Sequence, residues 1–286
     1  MSPSIYCGRF APSPTGALHL GSLATALASY LQARYHQGRW LIRIDDIDPQ
    51  REQAGSAADI ITTLEQFGLL PDAQVIYQSE RAEMHAAAIQ QLLSNAMAYP
   101  CACTRAALDA DGRYPGNCRQ GMPAGARARS IRVRCAHETI SFTDAIAGPQ
   151  QLDLDQYSGD FVIRRADHCF AYQLCCAVDD AAPGISEVVR GSDLLSSTAQ
   201  QIHVRKLLRL ASPRYAHIPV ITDEQGRKLS KRDAADPLQQ GDQTLAMRKA
   251  LQHLRHDPPA SISTTEGMLS WALQHWQPSR LSSTWA

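Results

Sequence analysis

At 286 residues the chain can bury a sizeable core, in one large domain or two smaller ones. With 28 Lys+Arg against 28 Asp+Glu its formal charge is zero, which excludes attraction of nucleic acid by the molecule as a whole and leaves such binding to local patches. No stretch approaches the ~20 apolar residues that span a bilayer, no signal-peptide pattern opens the chain, and eight cysteines at this length exclude a small disulfide scaffold, so a cytoplasmic protein without membrane contact is expected.

Residues 5–10 (IYCGRF) read as a strand, and the spacing of Leu23, Leu27 and Leu31 with Ala24 and Ala28 predicts a helix from Leu20, stopped by Gly38. RWLIRIDD (39–46) predicts a second strand; Ile60, Ile61, Leu64 and Phe67 mark a helix ended by Gly68; AQVIYQS (73–79) predicts a third strand, followed by a helix over 81–97. This alternation is that of a parallel sheet with crossover helices. It breaks over 100–160, a stretch rich in Gly, Pro, Arg and Cys with short alternating segments such as SIRVRC, which predicts an inserted, partly β subdomain. It resumes with the strand DFVIRR (160–165), a helix across FAYQLCCAV, the strand SEVVRG, the helix STAQQIHVRKLLRL and the strand HIPVIT. The α/β chain is thus expected to divide into a first half-sheet over 1–98, an insert over 99–160, a second half-sheet over 161–235 and a short helical region over 236–286.

Three stretches carry chemistry. APSPTGALHLGS lies between the first strand and the first helix, where a helix amino terminus offers free N–H groups to an anion; His19 can donate to phosphate oxygens and Gly21 leaves room for a flat base. It is neither a G-x-x-x-x-G-K-S/T loop nor a G-x-G-x-x-G turn. ITDEQGRKLSKRDAA places Lys228 and Lys231, two of only four lysines, in one loop after a strand, as mobile point charges suited to polyphosphate. Cys101, Cys103 and Cys118 would supply three thiolates of a tetrahedral metal site, with Asp109, Asp111 and Tyr114 as candidates for the fourth ligand; the spacing does not choose among them.

His19-Leu20-Gly21-Ser22 and Lys228-Leu229-Ser230-Lys231-Arg232 resemble the two signatures of class I aminoacyl-tRNA synthetases. RFAPSPTGALHLG, LIRIDDIDPQR, FAYQLCCAVDD, EVVRGSDLL and RKLSKR occur in the order seen in glutamyl-tRNA synthetases, and the resemblance runs from about residue 5 to 235. It implies a Rossmann-like catalytic domain that uses ATP, accompanied by Mg2+, to activate L-glutamate as glutamyl-adenylate. His19 and Lys231 would be catalytic. ATP would be held by His19, Gly21, Lys228 and Lys231, and glutamate by Arg9, Ala11, Ser13, Asp45, Tyr172 and Arg190. The charges suit glutamate, whose two carboxylates and one ammonium need two arginines and an acid. One departure stands out: the family pattern Arg-Ile-Glu-Asp is here Arg43-Ile44-Asp45-Asp46, which withdraws the carboxylate by about one methylene, ~1.3–1.5 Å.

A short branch, the glutamyl-queuosine tRNA(Asp) synthetases, carries Cys-x-Cys followed by Tyr-x-x-x-Cys, and Cys101, Cys103, Tyr114 and Cys118 are similar to it. The resemblance implies that Tyr114 completes a structural zinc site in an α+β insert. It also implies that glutamate goes to the queuosine base at the wobble position of tRNA(Asp), because the expected C-terminal region is too short for a typical anticodon-binding domain. Arg127, Arg129, Arg132 and Arg134 are the expected RNA contacts, and a monomer is expected. Two other activities fit the same motifs: a truncated synthetase charging the 3′ end of tRNA(Glu), and a catalytically silent RNA-binding protein.

Overall fold

The computed structural model describes residues 5–135, 137–221, 238 and 243–282. Strand β1 (Cys7–Phe10) is short and wholly buried, and its register beside the parallel strand β2 (Arg39–Ile44) sets Arg9 opposite Leu41. The helix between them, α1 (Leu20–Tyr35), is buried on almost every side. Its leucines at 23, 27 and 31 each contribute roughly 1.5–3 kcal/mol by burial. The reason for so apolar a helix is that it lies between β1 and β2 on one side and two later helices, α7 (Gln243–His253) and α8 (Thr265–His275), on the other. Trp40 fills the same core and donates its indole N–H to Ser29 Oγ at 2.9 Å.

The end of α1 differs from expectation. Gln37, with φ 52°, takes the left-handed turn. Gly38 instead permits close approach, since a Cβ there would stand 2.4 Å from the Tyr6 carbonyl oxygen. Gly68, φ +73°, does end the next helix, α2 (Ser56–Gln66), as expected. The chain then forms β3 (Ile76–Tyr77), parallel to β2, and α3 (Ala82–Ser94).

Next come β4 (Ala98–Cys101), β5 (Ser130–Val133), the hairpin β6 (Thr139–Asp144) and β7 (Gly148–Asp153), α4 (Leu154–Tyr157) and β8 (Val162–Arg164). The remaining elements are α5 (Tyr172–Ala181), β9 (Glu187–Gly191), α6 (Leu195–Leu208), β10 (Arg214–Ile218), α7 (Gln243–His253), α8 (Thr265–His275) and α9 (Ser279–Ser282). Strands pair as β1-β2-β3, as β7-β6-β10-β9 and as a separate antiparallel sheet β4-β5-β8. The first two sheets meet where β1 lies beside β9: Ser186 N–H donates to the Cys7 carbonyl, and Cys7 N–H to Ser186 Oγ, each at 2.9 Å.

Strand pairing crosses the expected boundary at residue 160. β8 completes the insert's sheet, whereas β6 joins β10 of the parallel sheet through Tyr215 and Asp144. The β6–β7 hairpin, from within the expected insert, therefore extends the parallel sheet of β9 and β10. Among the described residues, helices α7, α8 and α9 follow the parallel sheet.

Candidate functional site

A cavity of about 640 Å3 opens beyond the carboxyl ends of β1, β9 and β10, beside the amino terminus of α1. This is the position in which parallel α/β sheets bind ligands. Its walls bring together Arg9, Ala11, Ser13, His19, Gly21, Tyr172 and Arg190. Asp45 lines an adjoining 290 Å3 pocket that shares Ser13, Thr15, Arg51 and Tyr172 with the first. Lys228 and Lys231 lie outside the described residues.

His19 is the N-cap of α1. Its Nδ1 accepts from Ser22 N–H at 3.3 Å, and its Nε2 lies 3.1 Å from Ser22 Oγ. The first turn of α1 contains no acidic side chain, so the positive end of the helix dipole faces the cavity uncancelled from within the helix. Gly21 also lies close to the capping ring: a Cβ there would sit 3.1 Å from His19 Cε1, tighter than an ordinary contact.

Two arginine clusters flank the cavity. In the first, Arg9 Nε donates to Asp180 Oδ1 at 3.1 Å, and Arg43 Nη1 donates to the same oxygen at 2.5 Å. Arg43 also holds Asp45 through Nε at 2.6 Å and Nη2 at 3.3 Å. All four side chains are buried. Burial would raise the Asp180 carboxyl, yet Arg9, Arg43 and Arg205 hold it well below the usual carboxylate range. For Asp45 burial prevails and pushes the carboxyl up despite Arg43. Asp45 is therefore already engaged by Arg43, with the Cys176 thiol 3.7 Å from its Oδ2.

The second cluster centres on Arg190. Its Nε donates to His217 Nε2 at 3.1 Å, Nη1 to Gln201 Oε1 at 2.9 Å and Nη2 to Thr198 Oγ1 at 2.8 Å. Behind it, His217 Nδ1 meets Asp144 Oδ2 at 2.6 Å. Tyr172, at the first turn of α5, has its phenol raised by burial and so stays a protonated donor.

A third constellation lies in the insert. Cys101, Cys103 and Cys118 place their sulfurs within 4.8 Å of one another, with Cys103 and Cys118 3.6 Å apart. Tyr114 Oη stands 3.4 Å from the Cys101 sulfur and 3.5 Å from that of Cys103. A tetrahedral zinc with ordinary bond lengths would separate two sulfurs by about 3.8 Å and a sulfur from an oxygen by about 3.5 Å, so the four atoms fit such an ion. Burial resists ionisation of Cys101, but Tyr114, the Cys103 N–H and Arg132 pull its thiol down to about 7. The Arg132 guanidinium lies 3.8 Å over the Tyr114 ring. Asp109 is occupied elsewhere, accepting from the N–H groups of Asp111 and Arg113 and pairing with the Arg113 side chain.

Of the four arginines expected at an RNA surface, two turn inward. Arg132 is buried and donates to the Asp160 carbonyl; Arg134 donates to the Ala96 and Arg119 carbonyls and covers the Tyr99 ring. Packing against the two tyrosines accounts for both. Arg127 and Arg129 are exposed. Sequence reasoning missed Arg43, Asp180, Asp144, His217 and Gln201. The adjacent Asp179 and Asp180 of α5 serve opposite sides: Asp180 meets the cavity arginines, while Asp179 accepts from Gln78 and Arg81 and contacts His85. The Asp-Asp pair at the end of a buried apolar helix was the one available signal.

Residues 7–254 match the family of class I tRNA synthetase catalytic domains of the E and Q type. The chain is similar to the glutamyl-Q tRNA(Asp) synthetase of Chromobacterium violaceum, with 44% identity over 98% of this chain and 97% of that protein. It is also similar to the protein of the same name from Geobacter sulfurreducens, with 47% identity over 96% and 93%. Among solved structures, a glutamate-tRNA synthetase from Elizabethkingia anophelis superposes with a TM-score of 0.72 at 30% identity, over 80% of this chain and 53% of that one. A glutamate tRNA ligase from Elizabethkingia meningosepticum, in complex with its amino acid, gives 0.71 at 30% identity over 81% and 52%. The chain spans about half the length of these two solved proteins.

Proposed function

The chain belongs to the class I tRNA synthetases of the glutamyl and glutaminyl type and, within them, to the glutamyl-Q tRNA(Asp) synthetases; from this we infer that it activates L-glutamate with ATP and transfers it to the queuosine base of tRNA(Asp). The observation that carries the reading is the meeting of Arg9, Ser13, His19, Tyr172 and Arg190 in one cavity at the amino terminus of α1. Arg190 offers a cation to a substrate carboxylate, and Ser13 and Tyr172 offer hydroxyls. The N–H groups of the first turn of α1 and the His19 ring receive phosphate oxygens.

In the first step a glutamate carboxylate oxygen attacks the α-phosphorus of ATP, a P–O bond forms, and pyrophosphate leaves with the electron pair. Negative charge spreads over the phosphate oxygens, so fixed N–H donors accelerate the step without a protein nucleophile. Mg2+ accompanies the nucleotide, held largely by phosphate and water oxygens. In the second step a hydroxyl of the modified base attacks the acyl carbon, an ester C–O bond forms, the acyl–phosphate C–O bond breaks, and AMP leaves with the electron pair while the hydroxyl proton passes to solvent. The 290 Å3 pocket beside Ser13 and Tyr172 offers the acceptor an approach. Asp45, held by Arg43, faces this same pocket and supplies the negative charge for the glutamate ammonium.

Cys101, Cys103, Tyr114 and Cys118 would hold one structural zinc ion, which would tie the loop after β4 to the turn at 114–118. Metal analysis of the purified protein should give one zinc per chain, and Cys103→Ser should lose it while glutamate-dependent ATP–pyrophosphate exchange persists. A metal-free parent protein with an intact fold would refute the zinc assignment.

Transfer is tested with labelled glutamate, ATP and magnesium on three RNAs: tRNA(Asp) with queuosine but lacking its 3′-terminal adenosine, unmodified tRNA(Asp), and tRNA(Glu). Label on the first alone is the expected result. Label on tRNA(Glu) that needs an intact 3′ end would make the protein a truncated charging enzyme. No label on any RNA, together with no exchange, would sink both.

A further inference from the structure

We propose that His217 and Asp144 are positioning residues for the reaction: a neutral imidazole, oriented by Asp144, aims the Arg190 guanidinium at the substrate carboxylate without cancelling its charge. This rests on the reading of the cavity as a glutamate site and extends it to two residues that do not touch the ligand.

Geometry fixes the tautomer. Arg190 Nε–H donates to His217 Nε2, so that nitrogen carries no proton and Nδ1–H must donate to Asp144 Oδ2. Asp144 is itself immobilised, because its Oδ1 accepts from the backbone N–H groups of Ile146, Ala147 and His217 at 3.0, 2.9 and 3.1 Å. Asp144, His217 and Arg190 are all buried. The rest of the guanidinium is held by Gln201 and Thr198 of α6. Every acceptor touching Arg190 is thus neutral, and among the described residues no carboxylate lies within ion-pair distance of it. A carboxylate in place of the imidazole would orient Arg190 equally well but would neutralise it. The imidazole passes on the orientation from Asp144 and keeps the charges apart.

The groups facing His217 keep it neutral. Burial opposes its protonation, as do Arg190 on β9 and Arg9 on β1; Asp144 on β6 favours it, and Tyr215 on β10 stacks at 6.2 Å between centroids. A proton gained at Nε2 would point an N–H at the Arg190 N–H and release the guanidinium.

The test is glutamate-dependent ATP–pyrophosphate exchange by the full chain, with KM and kcat measured for glutamate and for ATP. His217→Asn cannot reach Arg190, and its glutamate KM should rise about tenfold to a hundredfold while the KM for ATP changes less than about twofold. His217→Gln carries an amide oxygen to the place of Nε2 and should bring the glutamate KM back to within about threefold of the parent. Asp144→Asn should follow His217→Asn, since an amide N–H facing Nδ1 selects the other tautomer. Equal glutamate KM values for the Asn and Gln variants, or a fall in kcat with KM unchanged, would overturn the role and leave a structural one. Should His217→Asn not fold, Asp144→Asn decides: a raised glutamate KM with the KM for ATP level supports the role, and a glutamate KM equal to the parent's removes it. If the parent shows no exchange, the glutamate reading fails and this role with it; exchange in the parent with indifferent variants ends this role alone.

Discussion

The two arginine clusters around the cavity solve the same problem in opposite ways. Arg9 and Arg43 are matched by Asp180 and Asp45, with the Arg205 guanidinium 4.0 Å from Asp180 as a third cation, while Arg190 is surrounded by a glutamine, a threonine and an imidazole. Buried charge is costly unless paired, so the first cluster is closed within the protein and the second awaits its counter-ion. The difference teaches where to look for a ligand's charge. In a buried site it is the cation held only by neutral acceptors, more than the cation with the most contacts.

Removing Arg43 should break this comparison most severely. Arg43→Met strands Asp45 and leaves Asp180 to Arg9 and the more distant Arg205, and urea unfolding should show a loss of about 3–5 kcal/mol. Arg190→Met leaves only neutral groups without a partner. It should cost about a hundredfold in kcat/KM for glutamate but only about 1–2 kcal/mol in stability. If both variants unfold at the same urea concentration, the distinction between a closed and an open cluster is wrong.

Acid sharpens it further. The Asp180 carboxyl is held below its unfolded value of roughly 3.9, so its share of stability is complete above that pH and is lost as pH falls towards the depressed folded value. Asp45, shifted upward by burial, takes its proton earlier and offsets part of that loss. Urea midpoints measured from pH 5 down to pH 2 should therefore decline less steeply in Asp180→Asn than in the parent; parallel slopes would remove Asp180 from the acid response.

The parallel sheet was legible because its strands are apolar runs bounded by turn residues and its crossover helices repeat leucine and isoleucine at helical spacing. The hairpin β6–β7 was not. TISFTD and GPQQLD are polar, half-exposed strands, the second at the edge of its sheet, so the apolar signal is weak in both. The first layer of the cavity could be read from ordered motifs, since Arg9, His19 and Tyr172 stand at element ends close to the glycines and prolines that mark them. The second layer could not. Asp180 lies 171 residues from Arg9, and Asp144 lies 73 from His217, so nothing local pairs them. The packing of Arg132 and Arg134, expected as RNA contacts, was equally hidden: Arg132 is buried and Arg134 half-buried, each against a tyrosine ring.

The seam between β1 and β9 carries a further consequence, for how the molecule acquires its cavity. Cys7 and Ser186 are 179 residues apart, yet their hydrogen bonds join the two halves of the sheet. Nearby, the Glu187 carboxylate accepts from Tyr6 Oη and Gln32 Nε2, and Gln32 Oε1 in turn accepts from the indole N–H of Trp276. Closing a loop of this length carries its entropy cost before any contact across it forms, so the seam zips late in folding. The half ending with α3 carries its own three strands, but its core is completed by α7 and α8, and it holds only one wall of the binding site. Substrate binding is in this sense a property of the closed loop, acquired in one cooperative event when the distant strand arrives.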